Sequence, residues 1–271
     1  MPQVSFTLFI NSELQDLHIA MLYELGVEAF IQQDESIEAF VDLQRLEIQN
    51  AIENYCNKHD IAFTRQLHQV RDWNALWESQ FHSICIKDQL LVRAPFHPTD
   101  PGVKHELIIA PKMAFGTGHH ETTSMILEWM TTKDFKGMQI LDFGCGTGIL
   151  GIYALLKDAQ NVVFIDNDPL AIENVQENLL INKLKPQLTI LGDANSIPDE
   201  SFHIILANIT RNVLIESLAN LAKSMKSGGM IALSGFLESD REDMEKNLQQ
   251  NGLKLHSIHQ KSDWLCIIGE T

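Results

Sequence analysis

The densest chemical signal in the chain is Ile140-Leu141-Asp142-Phe143-Gly144-Cys145-Gly146-Thr147-Gly148. An apolar strand ends at an acid, three glycines follow at alternate positions, and an apolar helix begins. Glycine allows backbone conformations and a close ligand approach that a Cβ would block. The helix start adds unpaired N–H groups. The G-x-G-x-G spacing is tighter than the G-x-G-x-x-G of dinucleotide binders, whose longer loop lays a pyrophosphate over the helix start. Gly144 and Gly146 therefore point to a smaller, phosphate-free ligand tail. Asp166 ends the next apolar run, and its two oxygens match the vicinal diol of a ribose. Asp168-Pro169 reads as the N-cap and first residue of a helix. Asp193, at the end of a third strand, either accepts from an adenine amino group or is a solvated turn acid. Asn208 follows the strand Phe202 to Ala207, on the crevice edge where α/β sheets bind ligands. Its amide can accept from an attacking amine; a plain turn asparagine is the other reading.

Upstream lies a second glycine-rich stretch, Ala114-Phe115-Gly116-Thr117-Gly118-His119-His120-Glu121-Thr122-Thr123. Adjacent histidines point in different directions and make a poor metal chelate, so no metal site is expected. The stretch reads as a loop able to fold over a ligand, leading into a helix with Thr122 or Thr123 near its cap. Cys56, Cys85, Cys145 and Cys266 form no CxxC pair, which fits free thiols in a reducing compartment.

The elements that must position these residues form a repeating series from residue 90 onward. Apolar strands at 107–109, 139–142, 161–165, 188–191, 202–207 and 230–234 alternate with helices at 122–130, from the glycine turn to Lys157, 169–180, 213–225 and 238–251. That alternation predicts an α/β, doubly wound parallel sheet. Two final strands, 253–259 and 264–269, lack an intervening helix, so one of them should run antiparallel. Residues 1–70 read instead as β-α-β-β-α-β, the ferredoxin-like split arrangement. Val4, Phe6, Leu8 and Ile10 alternate as a half-buried strand. Ser12 is placed to cap a helix whose apolar side is Leu14, Leu17, Met21, Leu22 and Leu25. Residues 71–89, with Trp73 and Trp77 one helical turn apart, read as a helical linker, and 90–271 as the second domain.

Charge and composition narrow the class. The 271 residues carry 20 Lys plus Arg and 36 Asp plus Glu, for a formal net charge of −16. That argues against a protein living on a phosphate backbone. Residues 1–70 hold 11 acids and 3 bases, half of the net charge in about a quarter of the chain. No apolar run reaches the roughly 18 residues that span a bilayer. Residues 1–10 hold no Lys or Arg, so neither a membrane anchor nor a secretory signal is expected, and the cytoplasm is the default location.

Taken together, Ala114 to Thr123, Asp142 to Leu150, Ile165 to Pro169 and Ala207-Asn208-Ile209 resemble the class I S-adenosylmethionine-dependent methyltransferases. In detail they look like the ribosomal protein L-eleven methyltransferases, over nearly the whole chain, including a ferredoxin-like first domain and a Trp-containing linker. The resemblance implies a Rossmann-like domain with S-adenosyl-L-methionine as cofactor, bound by Thr123, Gly144, Asp166 and Asn208. Gly146 and Asp193 join that set from the reading above, and Asn208 is the candidate catalytic residue. The resemblance also implies trimethylation of lysine side chains and an N-terminal amine on a basic large-subunit ribosomal protein. The first domain would then be the substrate-recognition module, re-presenting its substrate about the 71–89 hinge. Ala207-Asn208-Ile209 differs from the Asn-Pro-Pro-Tyr type of amide and base methyltransferases, which fits an amine. The alternatives are a related protein-lysine methyltransferase with another substrate, and a silent cofactor-binding interaction module.

Overall fold

The computed structural model describes residues 3–68, 82–110 and 120–271. The chain divides into two compact units, 1–80 and 81–271. The Trp73–Trp77 helix and the Ala114–His119 stretch lie outside the described residues.

In the first unit, β1 (Gln3–Phe9), α1 (Ser12–Glu24), β2 (Ala29–Gln33), β3 (Ser36–Asp42), α2 (Leu46–Lys58) and β4 (Phe63–His68) follow in the expected order. The strands form an antiparallel sheet, β2-β3-β1-β4. Alternation in β1 buries Val4, Phe6 and Leu8 against Ile37, Ala39 and Val41 of β3 and Ile48, Ile52 and Cys56 of α2. Helix α1 departs from expectation twice. Its N-cap is Asn11, whose side chain accepts from the Glu13 N–H, not Ser12. Its apolar stripe faces outward: Leu14, Leu17 and Met21 are 51%, 58% and 46% exposed, and of the expected set only Leu22 is buried. The helix is turned by about one residue, some 100°, because Gln15 occupies the inner face. Its buried amide donates to the Ile10 and Gln33 carbonyls at 3.0 and 2.7 Å. Two backbone carbonyls thus set the rotation that apolar spacing alone would set differently.

The second unit opens with a small sheet of β5 (Ile84–Ile86), β6 (Leu90–Arg93) and β7 (His105–Ile108). Residues 84–86 are therefore strand rather than helical linker. The main part comprises α3 (Glu121–Thr131), β8 (Gln139–Phe143), α4 (Ile149–Leu156), β9 (Asn161–Asp166), α5 (Pro169–Ile181), β10 (Leu188–Leu191), β11 (Phe202–Asn208), α6 (Arg211–Lys223), β12 (Met225–Leu237), α7 (Arg241–Gln250), β13 (Lys254–Lys261) and β14 (Trp264–Glu270). The seven strands order as β10-β9-β8-β11-β12-β14-β13, parallel throughout except β14, which is antiparallel to both neighbours.

Both faces of this sheet are covered, as continuous apolar strands require. Ile140, Phe164, Ile204 and Leu206 pack with Ile126, Ile152 and Val175 on one face. Their neighbours Leu141, Ile165, Ile205 and Ala207 pack with Leu214, Leu218 and Met244 on the other. Because β8 lies between β9 and β11, the loops leaving β8 and β11 depart in different directions. They leave a crevice at the carboxyl ends of the strands. No helix among the described residues is long and apolar enough to cross a membrane.

Candidate active site

A cavity of about 710 Å³ occupies that crevice, within the range of small-molecule sites. Thr123, Gly144, Gly146, Asp166, Asp193 and Asn208 all line it, brought together from four strand ends and one helix.

The glycine turn is held from within. Gly144, Gly146 and Gly148 all have positive φ, which glycine adopts without a Cβ penalty. The Gly144 and Cys145 N–H groups donate to the Ile165 carbonyl at 2.8 and 3.1 Å, and the Gly148 N–H to the Cys145 carbonyl at 2.8 Å. The Gly146 N–H donates to Asp166 Oδ2 at 2.9 Å. Four N–H groups that would cradle a pyrophosphate in a longer loop are thus used inside this one. The turn suits a ligand without phosphates.

Asp166 is oriented by the same contacts. Oδ2 takes the Gly146 N–H and Oδ1 takes the Asp168 N–H at 3.0 Å. A carboxylate has about four acceptor positions, so acceptor capacity remains on both oxygens for a diol. Asp168 caps α5 through the Leu170 N–H, with Pro169 in the first turn, as the sequence suggests. Asp193 also caps: its Oδ1 accepts from the Asn195 N–H at 2.9 Å and its Oδ2 from the Asn195 amide at 3.3 Å, at the head of the short turn Ala194–Ser196.

Asn208 ends β11. Its Nδ2 donates to Thr123 Oγ1 at 2.9 Å, linking the strand end to the first turn of α3. Its Oδ1 is buried with no hydrogen-bond partner among the described residues. An unsatisfied buried acceptor costs about 1–3 kcal/mol, and a donor on a bound molecule would relieve it. The cap of α3 is His120, with Thr122 and Thr123 next to it in the first turn as expected: its Nδ1 accepts from the Thr122 N–H at 3.4 Å and contacts Thr122 Oγ1 at 2.8 Å. Cys145 lines the cavity too. Burial, reinforced by Asp142 and Asp166, pushes its thiol well above the usual cysteine range, so it stays protonated and is not a nucleophile at neutral pH.

Further residues line the cavity beyond the expected set. His120 and Trp264 meet edge to face with ring centroids 4.7 Å apart. Gly235, at φ +102°, lets the Ile209 carbonyl cross β12 where a Cβ would stand 2.2 Å from it. Glu216, Ser217 and Asn220 of α6 close another wall. Apart from His120, which lies within the 114–123 stretch, these positions fall outside the motifs and are brought in by the packing of α6, β12 and β14.

The donor set fits S-adenosylmethionine: an oriented carboxylate, a turn with its N–H groups already satisfied, and a buried amide oxygen awaiting a donor. The family model for ribosomal protein L11 methyltransferase (PrmA) matches residues 7–271. A ribosomal protein L11 methyltransferase of Porphyromonas gingivalis is 36% identical over 259 residues, covering 93% of this chain and 89% of that protein. One from Phocaeicola vulgatus is 33% identical over 273 residues, covering 98% and 97%. The solved ribosomal protein L11 methylase of Lactobacillus delbrueckii subsp. bulgaricus shares the fold, with a TM-score of 0.66 at 22% identity over 70% of this chain and 98% of that one. Matches that run through both units place the chain in the ribosomal protein L11 methyltransferase family.

Proposed function

We propose that the protein transfers methyl groups from S-adenosylmethionine to amines of ribosomal protein L11, on lysine side chains and the N-terminal residue. The observation that carries this reading is the buried Asn208 Oδ1, with no hydrogen-bond partner among the described residues, in the same cavity as Asp166. A neutral amine has N–H donors for that oxygen, whereas a carbonyl or thiolate substrate does not. When bound, S-adenosylmethionine supplies a sulfonium-linked methyl group. Asp166 would accept from the ribose hydroxyls, Gly144 and Gly146 would let the amino-acid tail approach the backbone, and Asp193 would accept from the adenine amino group with the lone pairs its cap leaves free. Thr123 fixes the Asn208 amide, whose Oδ1 would hold the substrate amine beside the bound cofactor.

A lysine with an ordinary pKa near 10.4 must lose its proton before attack. Burial and a nearby sulfonium charge both lower that value. With Cys145 held as a thiol, the reaction relies on positioning, which alone can supply a large part of a barrier reduction. The acidic first unit is the surface that meets the basic substrate. A ribosomal substrate makes the cytoplasm the place of action.

The test is Asn208→Ala, assayed with labelled S-adenosylmethionine and undermethylated ribosomal proteins, with peptide mass mapping. Turnover should fall about a hundredfold, the scale of removing one oriented polar group from an active site. Thermal stability should change little, because the substitution also deletes an unsatisfied buried oxygen. Unchanged turnover on L11, or label incorporated only into other proteins, would overturn the assignment.

A further inference from the structure

Beyond Asn208, the cavity ends in an aromatic wall that the amine mechanism above does not use. Trp264 is the first residue of β14, and its ring and that of His120 meet edge to face, with centroids 4.7 Å apart and an interplanar angle of 73°. The tip of the β13–β14 hairpin is tied to α3 by three contacts. Ser262 Oγ donates to Glu121 Oε1 at 3.3 Å, Lys261 Nζ donates to Ser124 Oγ at 2.8 Å, and Lys261 pairs with Glu128. Asp263 accepts the Glu238 N–H through its backbone carbonyl at 2.8 Å. Helix α3 is also the helix whose Thr123 holds Asn208. The amide and the indole both line the cavity and are both tied to α3 and its cap.

The strand register gives their separation. Asn208 pairs with Ser234 on β12, whereas Trp264 pairs with Leu237, three residues further along that strand. Two strand spacings across the sheet, about 10 Å, plus that offset along β12 separate the two positions, which leaves room for a substituted ammonium between them. The chemistry of repeated methylation makes the wall matter. Each methyl group added removes an N–H that Asn208 could accept, and the last leaves a quaternary cation with no hydrogen to donate. An aromatic face attracts an alkylated ammonium whatever its number of N–H groups.

We propose that Trp264, braced by His120, holds the partly methylated ammonium in the cavity between rounds and so sets how many methyl groups one amine receives. This rests on the amine-methylation reading above. The test compares wild type, Trp264→Phe and Trp264→Leu on L11, with intact-peptide mass spectrometry following the mono-, di- and trimethyl species. In Trp264→Leu the ratio of mono- and dimethyl to trimethyl product should rise about tenfold, with Trp264→Phe intermediate. Titration of free Nε-trimethyllysine and lysine into the wild-type protein supplies a second readout. Wild type should bind the trimethylated form more tightly, and Trp264→Phe should retain part of that preference. The same product ratios in all three proteins, a uniform slowing of every step, or no preference for trimethyllysine in wild type would overturn the proposal. Failure of wild type to methylate any amine would instead overturn the reading on which it rests.

Discussion

A Cβ built on Gly144 stands 2.0 Å from Ile209 Cγ2, at a backbone φ of +69°. Two costs therefore coincide: about 1–2 kcal/mol for the left-handed backbone and about 1–3 kcal/mol for overpacking. Ile209 is the residue after Asn208, so relief of the clash moves a side chain directly beside the proposed amine site. Gly144→Ala should weaken S-adenosylmethionine binding by about tenfold or more, read by calorimetric titration; wild-type affinity would exclude the tight-turn argument. Asp142 makes a separate prediction. It is fully buried, and its Oδ2 accepts the Gly151 N–H at 2.8 Å. Burial pushes its pKa up to about 8, against the opposing pull of that hydrogen bond and with a smaller upward push from Asp166. Above the unfolded value, near 3.8, the unfolded chain releases this proton while the folded chain keeps it. Stability from this group is thus complete at low pH, declines between about pH 4 and 8, and is flat above. The slope approaches about 1.4 kcal/mol per pH unit. Asp142→Asn removes the titration, so its Tm should rise relative to wild type as pH goes from 5 to 8. Parallel Tm–pH curves would contradict the buried, protonated carboxyl.

At the scale of elements, α5 connects parts that the sequence lists separately. Asn178 and Asn182 lie one turn apart on it. Asn182 exchanges two hydrogen bonds with Ile108, its Oδ1 accepting the N–H at 2.9 Å and its Nδ2 donating to the carbonyl at 2.6 Å. Asn178 Oδ1 accepts the Ala110 N–H at 3.0 Å, while its Nδ2 donates to the Thr147 carbonyl in the glycine turn at 2.9 Å. Two side chains thus stand in for a strand beside β7, covering its edge, and one of them also braces the turn. Asn178→Ala should destabilise by about 2 kcal/mol, with the buried partners left unpaired, and should raise the KM for S-adenosylmethionine more than it lowers kcat. Asn182→Ala should destabilise comparably but leave cofactor affinity alone; equal loss of affinity in both would remove the special role of Asn178. Contacts of this kind explain what was legible in the chain. The strand-end acids, the glycines and Asn208 could be read because their spacing is local and tied to a strand–turn–helix unit. Trp264 and Asn178, and the meeting of His120 with Trp264, could not, because each acts across strands or helices whose register no short window encodes. The outward stripe of α1 shows the converse: the apolar period was clear, but a buried glutamine amide decided which side turned inward.

For the molecule as a whole, the relevant quantity is where the charge lies. Half of the −16 resides in residues 1–70, while among the described residues those lining the cavity all lie from 120 onward. Substrate capture and cofactor binding should therefore respond differently to salt. Steering of a lysine-rich protein acts over distances comparable to the Debye length, which shrinks from about 10 Å at 0.1 M to about 3 Å at 1 M. Contacts inside a cavity are short and little screened. Between about 0.05 and 0.5 M salt, kcat/KM for L11 should fall by about tenfold, while the Kd for S-adenosylmethionine should move by less than about twofold. Charge placement can be separated from total charge. Glu24→Gln, Asp34→Asn and Glu35→Gln neutralise three exposed acids of the first unit, and Glu173→Gln, Asp199→Asn and Glu200→Gln do so in the second. Each triple changes the net charge equally. Only the first should lower kcat/KM at low salt and flatten its salt dependence, because the nearest charges dominate a screened field. Equal effects from both triples would mean that the acidic first unit acts as bulk charge, and its role as the surface that meets the substrate would have to be abandoned.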